Sequence, residues 1–199
     1  MNKRQTFDED YYQQYYEDRK FAAVDLQEFV ALSDFVCAYV KHLAQPVRRV
    51  LDIGCGLGWW RQAVRRHFPG ARYTGVEAST YLCAEHGWTH GSVVDFAANT
   101  PFDLVICQDV LQYLPHRDAA LAIDNLASLC GGLLYFNALT SEDWEENCDK
   151  RRSDGEVYFR KGDWYRRRLA GYFINAGGGV WVLRESNIVL WELEKASSR

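Results

Sequence analysis

The residues best placed to do chemistry lie in Val50-Leu51-Asp52-Ile53-Gly54-Cys55-Gly56-Leu57-Gly58-Trp59. An apolar run that reads as a buried strand passes directly into three glycines at alternate positions, and then into a helical stretch. Glycine accepts a positive φ in a tight turn and lets a ligand approach the backbone with no Cβ in the way. The helix start behind the loop offers unpaired N–H groups and a partial positive charge. Two acids stand downstream. Glu77 closes the next strand in Thr74-Gly75-Val76-Glu77-Ala78-Ser79, 23 residues beyond Gly54, where a carboxylate can hold both hydroxyls of a ribose. Asp95 closes the predicted strand Ser92–Asp95 and can accept from an adenine amino group, with Phe96 beside it to cover the ring. Taken singly, each signal has a plainer reading as a tight turn or a helix-capping acid. Together, a glycine loop and two acids on three consecutive strand ends describe one nucleoside lying along the carboxyl edge of a sheet.

A dinucleotide fold wants G-x-G-x-x-G, but here position 59 is Trp and the pattern is G-x-G-x-G. Asp52, two residues before the first glycine, sets a carboxylate where a pyrophosphate would be repelled. It suits a positively charged amino acid end instead. These features favour S-adenosylmethionine, which combines ribose, adenine and an α-amino acid without phosphate.

With those residues in hand, the chain resembles the class I S-adenosylmethionine-dependent methyltransferases over about residues 48–137. LDIGCGLG is similar to that family's glycine motif, GVEAS to its ribose-binding strand, SVVDF to its adenine-contacting strand and FDLVICQDVLQYLP to its fourth-strand motif. The resemblance implies a pocket for S-adenosylmethionine, left as S-adenosylhomocysteine, lined by Asp52, Gly54, Gly56, Glu77, Asp95 and Gln108. Cys55, Gly58, Ala78 and Phe96 belong to the same motifs. It also implies an N-terminal lid, in which Tyr11 or Tyr15 would touch the methionine end. Tyr113 stands where many members carry His, so the resemblance supplies no imidazole base at that position.

Methyl transfer from a sulfonium is an in-line displacement, so the protein mainly aligns and desolvates the partners. A base is needed only for a nucleophile that arrives protonated. Asp109, on the turn after the fourth strand, and His116, just past Tyr113-Leu114-Pro115, are the two candidates. No Asn/Asp-Pro-Pro-Tyr/Phe run follows that strand, and Cys107 is followed by Gln108 rather than Pro. That argues against nucleic-acid methylation and for a small-molecule acceptor. Acceptor contacts are expected from Tyr113 and from the segment 138–163 with the helix after it, at Trp144, Tyr158, Trp164, Tyr165 and Arg166. Two other functions stay open: a cofactor-binding module without turnover, and, more weakly, a nicotinamide-dependent oxidoreductase.

The elements that must position these groups follow from periodicity. Apolar residues at helical spacing mark residues 21–44 as an amphipathic helix, with Pro46 beyond its end. Strands are predicted at Arg49–Ile53, Tyr73–Glu77, Ser92–Asp95, Phe102–Cys107 and Leu133–Asn137, and helices at Trp59–Phe68, Thr80–His86 and Arg117–Cys130. That alternation implies right-handed crossovers and a doubly wound, Rossmann-like, mostly parallel seven-stranded α/β sheet. Asp163–Phe173 reads as a helix capped by Asp163, broken by Gly177-Gly178-Gly179. A hairpin of 180–183 and 188–191 then supplies the antiparallel C-terminal strand.

The 199 residues, with 48% hydrophobic content and a net charge of −4, fit a single domain with residues 1–46 as its N-terminal extension. That charge gives no global basic footprint for nucleic acid. The six cysteines lack metal-ligand or redox spacing, so no metal and a reducing compartment are expected. The polar N-terminus and the lack of a long apolar run point to a cytoplasmic protein, as monomer or homodimer, with no membrane partner. Of the 29 aromatic rings, five fall in residues 1–16 and nine in 135–173. They are expected to wall off a dry acceptor site.

Overall fold

The computed structural model describes residues 7–12, 26–43 and 46–196. Its frame is a seven-stranded sheet of β1 (Arg49–Ile53), β2 (Arg72–Glu77), β3 (Thr89–His90), β4 (Phe102–Gln108), β5 (Cys130–Asn137), β6 (Phe173–Gly177) and β7 (Val180–Leu183), in the order β3-β2-β1-β4-β5-β7-β6. The first five are mutually parallel, and β7 runs antiparallel to both β5 and β6. Leu104, Val105, Ile106 and Cys107 have no exposed surface, because β4 lies mid-sheet with helices on both faces.

One face is covered by α2 (Leu26–His42) and α3 (Trp59–His67), which pack Phe29, Val36, Val40, Trp60 and Val64 against Leu104, Leu133 and Val182. The other carries α5 (His116–Leu129) and α7 (Gly162–Leu169), with Ile123, Leu126 and Leu169 against Val105, Leu134 and Trp181. Shorter helices are α1 (Glu9–Tyr12), α4 (Thr80–His86) and α6 (Ser141–Glu146). The chain winds outward from β1 to β3 and then restarts at β4 on β1's other side. The strand order therefore reverses between β1 and β4, and a crevice opens at their carboxyl ends.

Several expected elements shift. The strand expected at Ser92–Asp95 is a turn: pairing with β2 is confined to Thr89 and His90, and Asp95 is exposed. The C-terminal hairpin is β6–β7. Its turn is the triple glycine itself, at φ +85°, +57° and +78°, while 188–191 pairs with no strand. An apolar texture cannot separate a strand from an extended edge segment, and the glycines that break a helix equally make a tight turn. The helix expected over Asp163–Phe173 stops at Leu169, so that Phe173 can enter the sheet. Its N-cap is Lys161. Asp163 instead lies in the first turn and pairs with Arg167 at 2.7 Å. Residues 21–25 and 44 of the expected long helix lie outside the described residues.

Candidate functional site

The glycine loop is held from several sides. Gly54 and Cys55 donate their N–H groups to the Val76 carbonyl at 2.8 and 3.1 Å, tying the loop to β2. Gly54 sits at φ +77°, and a Cβ there would lie 2.3 Å from Val110 Cγ2. Gly58 sits at φ +74° as the N-cap of α3, where a Cβ would meet the Trp88 ring at 2.4 Å. Only glycine satisfies both the dihedral and the space at these two positions. The Trp88 indole N–H donates to the Gly56 carbonyl at 2.9 Å.

Glu77 is buried at 5% exposure. One carboxylate oxygen accepts from Gly56 N–H at 2.8 Å, and the other accepts from Ala78 and Ser79 N–H at 2.8 and 2.9 Å. The acid expected to hold a ribose thus also clamps the loop. Asp52 is 2% exposed and accepts from the Tyr73 hydroxyl at 2.5 Å. Burial pushes its carboxyl up to about 7; the Tyr73 hydrogen bond opposes this and the Glu77 charge adds to it.

Two clefts meet here. The first, about 690 Å³, is walled by Gly54 and Gly56, by Glu77 and Ala78, by Gly91, Ser92 and Val93 after β3, and by Gln108, Asp109, Val110, Tyr113 and Leu114 of the elbow that ends β4. Phe7 and Tyr11 close its roof. The second, about 520 Å³, shares Gly54, Gly56, Gln108 and Asp109 and adds Asp52, Cys55, Leu57, Phe29, Trp59 and Trp60. Neither lining contains a Lys, Arg or His among the described residues. A pyrophosphate would find no counter-charge, whereas an ammonium and a sulfonium find Asp52, Glu77 and Asp109. The residues present fit S-adenosylmethionine.

The β4 elbow is strained and cross-braced. Asp109 is the only described non-glycine residue at positive φ, +56°, a conformation Asp tolerates better than most and which concentrates at functional sites. Its carboxylate accepts from Gln108 Nε2 at 3.2 Å and Gln112 Nε2 at 3.5 Å, and burial raises its pKa. Gln108 is oriented by the Trp60 indole, which donates to Oε1 at 2.9 Å. The N-terminal segment docks through the Ser79 hydroxyl, which donates to the Phe7 carbonyl at 2.6 Å. The Tyr11 and Tyr113 hydroxyls lie 2.9 Å apart, and Tyr11 also donates to Asp154 at 3.3 Å. The Phe7 ring stands edge-on to both tyrosines, 5.1 Å from each.

The structure thus brings together Asp52, Gly54, Cys55, Gly56, Glu77, Ala78, Gln108, Asp109, Tyr113 and Tyr11 around the two clefts. Gly58 supports the loop from behind. Asp95 and Phe96 line neither cleft; Gly91, Ser92 and Val93 form that wall. Tyr15 lies outside the described residues. His116 is exposed at the start of α5, receives the Trp164 indole N–H at 3.1 Å and lines neither cleft.

The segment expected to wall the acceptor is built differently. Trp144, Tyr158, Trp164, Tyr165 and Arg166 line neither cleft. Trp144 packs on Phe159 at 5.2 Å, Tyr165 is buried, Tyr158 is partly exposed and Arg166 lies on the exposed face of α7. Their organiser is Arg160, 6% exposed, which donates to the carbonyls of Leu111, Tyr158 and Leu114 and to the Tyr165 hydroxyl. Sequence reasoning missed Arg160, Trp88 and the Phe29–Trp59–Trp60 wall. The doubled tryptophan directly after the last glycine was the available signal for the wall.

A family profile described as a methyltransferase domain matches residues 25–191. A ubiquinone biosynthesis O-methyltransferase of Xanthomonas campestris pv. campestris (strain B100) is 34% identical over 121 residues, 53% of this chain and 48% of that one. The chain spans about half the length of the curated relatives it matches. Among solved structures, a magnesium protoporphyrin IX methyltransferase from Synechocystis PCC 6803 with bound S-adenosylmethionine superposes at TM-score 0.55. It has 22% identity and covers 82% of this chain and 83% of that one. A sugar N-methyltransferase from Streptoalloteichus sp. superposes at 0.51 with 25% identity, over 65% of this chain and 54% of that one. With the profile spanning most of its length, the chain belongs to the methyltransferase-domain family, and its sheet has the same Rossmann-like fold as that solved methyltransferase.

Proposed function

We propose that this protein transfers the methyl group of S-adenosylmethionine to a small-molecule acceptor by in-line displacement. The observation that carries this reading is the pair of confluent clefts at the β1–β4 switch point, rich in carboxylates and, among the described residues, lined by no cationic side chain. S-adenosylmethionine supplies an activated methyl on a sulfonium; the chain's residues bind, orient and exclude water. Glu77 and the Gly91–Val93 wall take the nucleoside in the first cleft, with Val110 and Leu114 against the base. Asp52, ionised, faces the α-ammonium of the amino acid end. Phe7 and Tyr11, latched to Ser79, Tyr113 and Asp154, form a lid over the nucleoside. The single domain, cytoplasmic placement and small-molecule partner belong to the same reading.

Isotopically labelled S-adenosylmethionine incubated with the protein and a metabolite extract tests it. The expected result is labelled small-molecule product together with S-adenosylhomocysteine. Tight cofactor binding with no product would make the protein a cofactor-binding module, and binding of NADH in its place would return it to the oxidoreductases.

A further inference from the structure

We infer that Arg160 is a positioning residue for cofactor capture: it clamps residues 154–160 to the β4 elbow and so holds Asp154 and Tyr113 at the spacing that the Tyr11 hydroxyl bridges. This rests on the reading of the first cleft as the nucleoside site and adds the group that keeps its roof shut. The roof is fastened at the tip of Tyr11, whose hydroxyl lies 2.9 Å from that of Tyr113 and donates to Asp154 Oδ2 at 3.3 Å. Tyr113 belongs to the elbow and lines the first cleft, whereas Asp154 comes from the segment after β5. The latch therefore needs two separate stretches of chain in place at once.

The elbow supplies little rigidity of its own. Leu111–Tyr113 is one short helical turn, closed by Tyr113 N–H to the Val110 carbonyl at 3.1 Å and Leu114 N–H to the Leu111 carbonyl at 3.2 Å. A turn that short leaves its last carbonyls in need of outside donors. Residues 158–160 provide them. The Tyr158 N–H donates to the Gln112 carbonyl at 2.7 Å. The buried Arg160 guanidinium donates to the Leu111 carbonyl at 3.0 Å through one terminal nitrogen and to the Leu114 carbonyl through the other. The first nitrogen also meets the Tyr165 hydroxyl at 3.2 Å, which anchors the clamp on α7.

Arginine suits this task because its planar fork reaches two carbonyls in a fixed geometry, and a cationic donor strengthens each bond. A lysine ammonium would keep the charge but not the fork. On the same segment Asp154, 8% exposed, accepts from Glu156 N–H at 2.8 Å through Oδ1, which sets Oδ2 toward Tyr11. With both latch partners fixed beforehand, closing the roof orders less of the chain, so more of the contact energy is retained in holding the ligand.

The test reads the dissociation rate of S-adenosylhomocysteine by stopped-flow fluorescence, in a double-mutant cycle of Arg160→Lys with Tyr11→Phe. Arg160→Lys should speed release several-fold, much as Tyr11→Phe does, because either change opens the same latch. On the Tyr11→Phe background it should then add less than about twofold. An arginine with a purely structural role would lower stability to urea and speed release by the same factor in both backgrounds. Tyr165→Phe removes one Arg160 partner outside both clefts and gives a milder form of the same cycle, which decides the matter should Arg160→Lys fail to fold. Unchanged release in either single variant of the cycle used, or a further acceleration of about twofold or more over Tyr11→Phe, overturns the inference. Failure of S-adenosylhomocysteine to bind the wild-type protein would instead remove the methyltransferase reading beneath it.

Discussion

Asp52 carries a pH signature that separates its two states. Its ordinary value is 3.8 and the folded protein raises it to about 7. Between those values the native state holds a proton that the unfolded chain has lost, so folding stability falls as pH rises from about 4 to about 7. Asp52→Asn keeps an acceptor for the Tyr73 hydroxyl but cannot ionise. Its thermal midpoint should lose that slope, as scanning calorimetry across the window will read. Cofactor binding demands the ionised form and should therefore release a proton near pH 6, visible as a dependence of binding heat on buffer ionisation enthalpy. Glu77 differs, because its carboxylate accepts three backbone N–H groups. Charge-assisted bonds of that kind are worth roughly 1.5–3 kcal/mol each in context. Glu77→Ala should thus lose stability to urea as well as cofactor affinity.

At the scale of elements, the glycine loop is fixed by Val110 on one side and Trp88 on the other. Gly54→Ala places a methyl against Val110 and forces a left-handed alanine, costing about 1–3 kcal/mol. Adding Val110→Ala relieves the clash but not the dihedral, so the double variant should recover only part of the loss in denaturant unfolding. The loop and β1, β2, β4 and β5 were legible in the sequence because a buried parallel strand ending in glycine has few competing interpretations. The third strand was misplaced, since Ser92–Asp95 alternates like a strand but lacks a partner beyond His90. The hairpin was misread for a related reason: three glycines signal a break without saying which elements they join. The lid is an element of another kind. Tyr11→Phe removes both the Tyr113 and the Asp154 hydrogen bonds while keeping the ring. It should speed dissociation of S-adenosylhomocysteine several-fold in stopped-flow fluorescence, with a smaller effect on unfolding.

Across the whole molecule, the aromatic surplus is divided between two jobs. Rings of the 144–165 segment mostly build a support around Arg160, whose guanidinium ties that segment to the carbonyls of the β4 elbow. Rings from α2 and α3 line the second cleft. Sequence placed the enrichment but could not assign it, because ring density does not tell which face of a segment turns toward the site. Arg160 was invisible for the same reason: one basic residue among five in that stretch becomes a buried strut only through the fold. Among the described residues no helix is long and apolar enough to cross a membrane.

The central claim is that the carboxylate-lined clefts at the β1–β4 switch point bind S-adenosylmethionine. Isothermal titration of the wild-type protein with S-adenosylmethionine, beside Glu77→Ala and with NADH as a control, tests it most directly. One site at micromolar affinity, weakened at least tenfold by Glu77→Ala, with no heat from NADH, is the predicted result. No binding of S-adenosylmethionine to the wild type, or saturable binding of NADH in its place, would contradict it.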